Sequence, residues 1–145
     1  MGSDMLKLSV EYWIKRLDHT LEHTQSSSKL IYILDGAVIA LAYFIVKELN
    51  YIFGNKNAVL IASFPMFVLT ILNLMHAHLL EIQRLWYQKI DDKLLNLLSL
   101  EPVWKEKGKY FDSTHKIYRT MHYVVAVALF VMAIFMVLYG CSCLC

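Results

Sequence analysis

Three long apolar runs, Leu30 to Val46, Ala58 to Leu80 and Met121 to Gly140, stand between segments rich in charge. Each is close to the ~20 residues that a helix rising about 1.5 Å per residue needs to cross a ~30 Å hydrocarbon layer. A backbone in lipid must satisfy its own polar groups, so each run is predicted to be a membrane helix. The first run begins too late for a cleavable signal peptide, and no small-residue cleavage site follows it. Outside the runs the period stays helical. Leu6, Val10, Trp13, Ile14, Leu17 and Leu21 share one stripe at steps of three and four, which predicts an amphipathic helix over residues 4–28. Ser26, Ser27 and Ser28 then read as a hinge or cap before the first span. Ile82, Trp86, Ile90, Leu94 and Leu97 carry the second run's period onward, so one helix of ~65 Å is expected from near Asn57 to near Leu100. Pro102 and Gly108 punctuate 101–112 as a turn or short loop.

The fold expected is therefore an all-α membrane protein in one unit. Its segments are a cytoplasmic amphipathic helix (4–28), a first span (30–50), a second span (57–80) with a cytoplasmic extension (81–100), a basic and aromatic connection (101–119), a third span (120–140) and a Cys-rich tail (141–145). Composition agrees: 58% of the 145 residues are hydrophobic and only 18% charged, which excludes a disordered chain and argues against a water-soluble globule. The 14 basic residues nearly cancel the 12 acidic ones, so net charge carries no message about nucleic acid. Their placement does carry one. Four Lys and Arg precede the first span, two (Lys47 and Lys56) follow it, eight lie between the second and third spans, and none follows the third. That alternation predicts an inner-membrane protein with its N-terminus in the cytoplasm and its C-terminus outside.

Asp35 is the most informative single residue, because a mid-membrane Asp costs about 2.5 to 3.5 kcal/mol and must face protein or water. Asn73, His76, His78 and His122 lie at similar depth on the other spans, so a polar layer of Asp35 with His76 is geometrically available. Such a layer could gate ions, relay protons or hold a closed state. Equally, Asp35 could snorkel to the near surface or pair with Lys29 or a histidine for structure alone. Pro65 interrupts the second span's hydrogen-bond ladder, and Phe44, Phe53, Phe64 and Phe67 nearby could close a pore by dewetting or simply pack against lipid. His19 and His23 have the i, i+4 spacing of zinc ligands but lack a third, and His76 and His78 point to different faces, so neither metal nor cofactor is expected. No nucleophile arrangement, phosphate loop or carboxylate pair argues for an enzyme. The connection mixes Lys105 to Arg119 with Trp104, Tyr110, Phe111 and Tyr118, which suits lipid headgroups as well as an anionic ligand with stacking bases. Cys141, Cys143 and Cys145 fit no CaaX pattern.

The order of elements, together with Trp13, Arg16 and His23 (Trp-x2-Arg, then His seven positions on), resembles the SLATT family of bacterial membrane effectors over roughly residues 10–100. The third span and the short cytoplasmic extension depart from that family's common two-span pattern. The resemblance implies a pore that depolarises the membrane of an infected cell in antiphage defence. It also implies an activating nucleotide or oligonucleotide made by a partner nucleotidyltransferase, with Lys15, Arg16, Arg84, Lys89 and Lys93 as the cations to receive it. Three helices fill their own centre, so conduction requires a homo-oligomer in the bilayer, by default a cyclic tetramer. On that reading Asp35, Asn73, His76 and His122 form the polar layer of the pore, and Phe44, Phe64, Pro65 and Phe67 a hydrophobic gate or hinge. A non-conducting accessory or scaffold subunit is the alternative.

Overall fold

The computed structural model describes residues 2–98 and 102–141, which form three helices: α1 (Gly2–Phe53), α2 (Asn55–Leu98) and α3 (Pro102–Cys141). At a rise of about 1.5 Å per residue these are rods of ~78, ~66 and ~60 Å. All three are long and apolar enough to cross a bilayer. Across 30–46, 57–80 and 120–141 the only charged side chain is Asp35. Each helix also runs on past its apolar stretch into a charged end, and the three charged ends lie together, since Arg84 of α2 meets Asp112 of α3 and Tyr87 of α2 meets Thr20 of α1.

One residue reverses the chain between α1 and α2. Gly54 sits at φ +76°, its N–H donates to the Asn50 carbonyl (3.1 Å), and its own carbonyl accepts from the Ala58 N–H (3.2 Å). It thus caps one helix and starts the next. A one-residue turn fixes the register: residues equidistant from Gly54 face each other, as Asp35 and Asn73 do at nineteen positions on either side.

Two sequence expectations need correction. Ser26, Ser27 and Ser28 do not interrupt α1, which is continuous from the amphipathic stripe into the first span. Ser27 bonds back to the Thr24 carbonyl (3.1 Å), and Ser28 faces the bundle interior, so both hydroxyls are satisfied without breaking the helix. Residues 102–112 are likewise helix and not loop, because Pro102 stands at the start of α3, where a missing N–H removes no intrahelical bond. The extended second helix is as expected, to within two residues at each end. The tail residues Cys143 and Cys145 lie outside the described residues.

α2 packs against α3 more extensively than α1 packs against either. The apolar core joins Ala42 of α1, Ala62, Met66 and Leu69 of α2, and Leu129 and Ala133 of α3. Its small residues let the rods approach closely, and a Cβ at Gly140 would run into the Leu60 side chain. A second, smaller core at the charged end gathers Leu17, Tyr87 and Phe111, with Trp13, Ile14 and Leu21 packed against it. The amphipathic stripe therefore docks on the extension of α2 through Tyr87 and on Phe111 of α3, while Ile82 and Trp86 remain half exposed. The side chains of Leu6, Val10, Ile90, Leu94 and Leu97 lie outside the described residues.

Replacing Gly54 with Ala puts a side chain into the left-handed region at a cost of about 1–2 kcal/mol. The expected outcome is a lower thermal midpoint for the detergent-solubilised Gly54→Ala protein with unchanged helix content by circular dichroism.

Candidate functional site

Between the Leu17 cluster at the charged end and the contacts of Val38, Ala42, Ile45 and Val46 in the apolar half, α1 meets the α2–α3 pair through a run of polar side chains. Thr20, Thr24, Ser28, Tyr32 and Asp35 follow one another at steps of four or three along a single face of α1. Thr20 Oγ1 meets the Tyr87 hydroxyl at 2.5 Å, and Thr24 Oγ1 meets His115 Nε2 at 3.3 Å. Ser28 Oγ reaches both His76 Nε2 (3.3 Å) and His122 Nε2 (3.2 Å). The Tyr32 ring stacks on His122 with centroids 4.7 Å apart. Asp35 Oδ1 accepts from Asn73 Nδ2 at 2.9 Å. This ladder begins at the charged end and finishes inside the apolar half.

Its deepest part is a layer drawn from all three helices: Ser28 and Asp35, Asn73 and His76, and His122. The structure thus brings together Asp35, Asn73, His76 and His122, the four residues singled out for such a layer, although Asp35 reaches His76 through Asn73, His122 and Ser28 and not directly. His78 faces outward. Asp35 is only 5% exposed, and its hydrogen-bond partner is Asn73 rather than Lys29 or a histidine. Ser28 was missed because three serines in a row suggest a break, and Thr20 and Thr24 were not singled out. Their recurrence at steps of four, in register with Trp13 and Leu17, was the available signal.

Donor and acceptor chemistry fixes the direction of the layer. Asn73 Nδ2 donates to Asp35 Oδ1 and to the Leu69 carbonyl (3.1 Å), which fixes the orientation of the amide. Asn73 Oδ1 can only accept, so His122 Nδ1, 2.8 Å away, carries a proton. With His122 neutral, its Nε2 accepts from the Ser28 hydroxyl, and Ser28 in turn accepts from His76 Nε2. In that state His76, Ser28, His122 and Asn73 each pass one donor along the chain towards Asp35, and Asn73 gives its other N–H to the Leu69 carbonyl. The second carboxylate oxygen, Oδ2, is buried and has no hydrogen-bond partner, and neither does the buried Tyr32 hydroxyl.

Beyond the charge-free segments, ion pairs tie α2 to α3. Arg84 bonds Glu81 (2.8 Å) and Asp112 (2.9 Å), Arg119 also pairs with Glu81, and Lys116 pairs with Asp112 (2.7 Å). Hydrogen bonds from Arg84, opposed by burial and helped by Arg119, hold the Glu81 carboxyl below its usual range. Burial raises Asp112, but bonds from Lys116 and Arg84 outweigh it and leave that carboxyl low as well.

The remaining candidates separate. Lys15, Arg16 and Lys89 are exposed, Arg84 is engaged by its two carboxylates, and the Lys93 side chain lies outside the described residues. Arg16 stacks over both Trp13 (5.5 Å) and Trp86 (5.4 Å). Beside it a groove of about 370 Å³ opens between α1 and α2, lined by His19, Thr20, His23, Gln83, Trp86 and Tyr87. Phe44 and Phe64 are 58% and 71% exposed on the outer surface, whereas Phe67 meets Phe130 edge to face against the core. The three phenylalanines therefore do not converge within one chain, and α2 runs through Pro65 as a single helix. Among the described residues no group of three or more His, Cys, Asp or Glu side chains is arranged to hold a metal ion.

The layer makes a sharp prediction about order of damage. Asn73→Leu strands the Asp35 carboxylate and the His122 N–H together, at a cost of about 3–5 kcal/mol. Asp35→Asn keeps an acceptor for Asn73 and removes the charge, with its amide N–H group standing where the unpartnered Oδ2 was. Thermal unfolding in detergent should therefore rank Asp35→Asn close to the parent and Asn73→Leu far below it, with the double replacement Asp35→Leu/Asn73→Leu recovering part of the loss. The chain matches no protein-family model, and comparisons with curated proteins and with solved structures give no significant match.

Proposed function

We propose that the protein is a pore- or channel-forming effector of the inner membrane, assembled as a cyclic homo-oligomer and by default a tetramer. In this reading its charged end lies in the cytoplasm and receives an anionic, nucleotide-type signal. Opening dissipates the membrane potential of an infected cell. The observation that carries the reading is the polar ladder on α1. A rod of 52 residues is held across its middle by Thr20, Thr24, Ser28 and Asp35, between its apolar contacts at the Leu17 cluster and around Ala42, and these directional bonds are lost together when the rod moves. Because α1 is unbroken, a displacement at Trp13 and Arg16 is carried rigidly to Ser28 and Asp35.

The centre of one bundle is filled by Ala42, Ala62, Met66, Leu69, Leu129 and Ala133, so a water path has to form between copies or on release of α1. The signal would enter at the groove beside Arg16, where Arg16 and the exposed Lys15 next to it supply positive charge, and Trp86 a stacking face. A ligand can shift a closed bundle towards an open one only by binding the open form more tightly. The SLATT-like order of Trp13, Arg16 and His23 supports the same reading.

A second reading is favoured by a specific observation. The layer is closed within a single chain, with each of Ser28, Asn73, His76 and His122 bonded inside it, as a structural staple would be. A non-conducting accessory subunit would use the same bundle and bind a different membrane protein.

The two part on one experiment. Thr24→Val with Ser28→Ala weakens the ladder without removing a charge, and in proteoliposomes the effector reading expects a dye and potassium leak several-fold above the parent protein. Depolarisation on expression should rise in parallel. Liposomes that stay sealed for parent and variant, with the protein monomeric in nanodiscs, would leave the accessory reading standing.

A further inference from the structure

Asp35 presents a problem of charge that the layer itself does not solve. The carboxylate is 5% exposed in the midst of a span, and one oxygen accepts from Asn73 while the other has no partner. The titratable groups around it are Tyr32 on its own helix, with Tyr118 near that tyrosine, His76 on α2 and His122 on α3. None is a lysine or arginine. Lys29, six positions back and exposed, is ~9 Å away along the helix, and the ion pairs of Glu81, Arg84, Asp112 and Arg119 are closed among themselves.

The hydrogen-bond directions sharpen the point. With both histidines neutral, the chain from His76 to Asn73 delivers donors to Oδ1 and no positive charge. The layer then carries one net negative charge in the part of the molecule least able to hold it. A second unpartnered oxygen, the Tyr32 hydroxyl, lies one turn back on the same face and on the side of the charged end. Two buried oxygens without partners, one of them anionic, make a site for something small and positive.

We infer that Asp35 Oδ2 binds one monovalent cation, a proton or an alkali-metal ion, reached past Tyr32 from the charged end of the bundle. The inference extends to ion class: a pore whose only charged membrane residue is this carboxylate passes cations in preference to anions. The ion-class statement rests on the pore reading, whereas the binding site does not.

The test uses the full chain in lipid nanodiscs and proteoliposomes, as parent, Asp35→Asn and the surface control Glu22→Gln. In N-methyl-D-glucamine chloride at neutral pH, a bound proton appears as an infrared carbonyl band of a protonated carboxylic acid that Asp35→Asn alone removes. A bound alkali ion appears instead as a saturable rise in the thermal midpoint when sodium or potassium replaces N-methyl-D-glucamine at constant ionic strength, again lost only in Asp35→Asn. Neither signal, or a cation effect that Asp35→Asn retains, overturns the site. In the flux arm, a potassium chloride gradient should give a reversal potential of cation sign that collapses towards zero in Asp35→Asn. An anion-selective leak overturns the ion class while leaving a pore, and sealed liposomes overturn the pore while the nanodisc signals still decide the site.

Discussion

A polar side chain in an apolar span has to be satisfied by another helix, since lipid supplies no hydrogen bonds. Here that demand is concentrated at Asn73, which has two acceptors to serve and one donor to receive. It joins Asp35 of α1 to His122 of α3, and without it the two flanking helices would hold unpaired polar groups facing each other across α2. Water contributes little to burial between apolar helices in a bilayer, so close packing of small residues and these few bonds set the arrangement. Ala42, Ala62 and Ala133 bring the rods together, and the layer decides which face of each rod points inward.

The same constraint explains the division of labour among the helices. α2 and α3 share the alanine-rich core, the Gly140 contact and the ion pairs of Arg84 and Arg119, so they form a stable pair along their length. α1 adds Ala42 to that core, with Val38, Ile45 and Val46 packed against it, and holds on elsewhere through the hydroxyl ladder and the aromatic cluster around Leu17. Apolar contacts tolerate sliding, whereas a buried hydrogen bond holds only in one register and leaves two unsatisfied groups when it breaks. On the proposed reading α1, which shares fewer contacts with α3 than α2 does, is the part that moves.

Much of the fold was legible in the sequence because hydropathy and helical period are local signals. The three apolar runs and the long second helix follow from counting residues, and the depth of Asp35, Asn73 and His122 follows from counting inward from the charged flanks. The one-residue turn was less visible, since Gly54 is marked as special only by its backbone angle. Ser26 to Ser28 were misjudged for a physical reason. Serine weakens a helix in water by competing for its backbone, but a serine facing a neighbouring helix finds its partner there, and the competition disappears. Phe111 was read as part of a surface connection because Pro102 and Gly108 looked like a loop, yet a proline at a helix start organises the chain instead of breaking it.

Rigid continuity links the two ends of the molecule. If α1 had the expected hinge at Ser26, an event at Trp13 and Arg16 would be absorbed there, and the layer would not sense it. An unbroken rod transmits rotation as well as translation, and rotation matters more for a ladder confined to one face. At 100° per residue on a helix, a turn of the rod by one position would move Thr20, Thr24, Ser28 and Asp35 off their partners together. The bonds are therefore made or lost as a set, and a weak bias applied at the groove beside Arg16 can be matched against the whole ladder. A set of bonds that breaks together favours two states over a continuum, and the proposed gate depends on that.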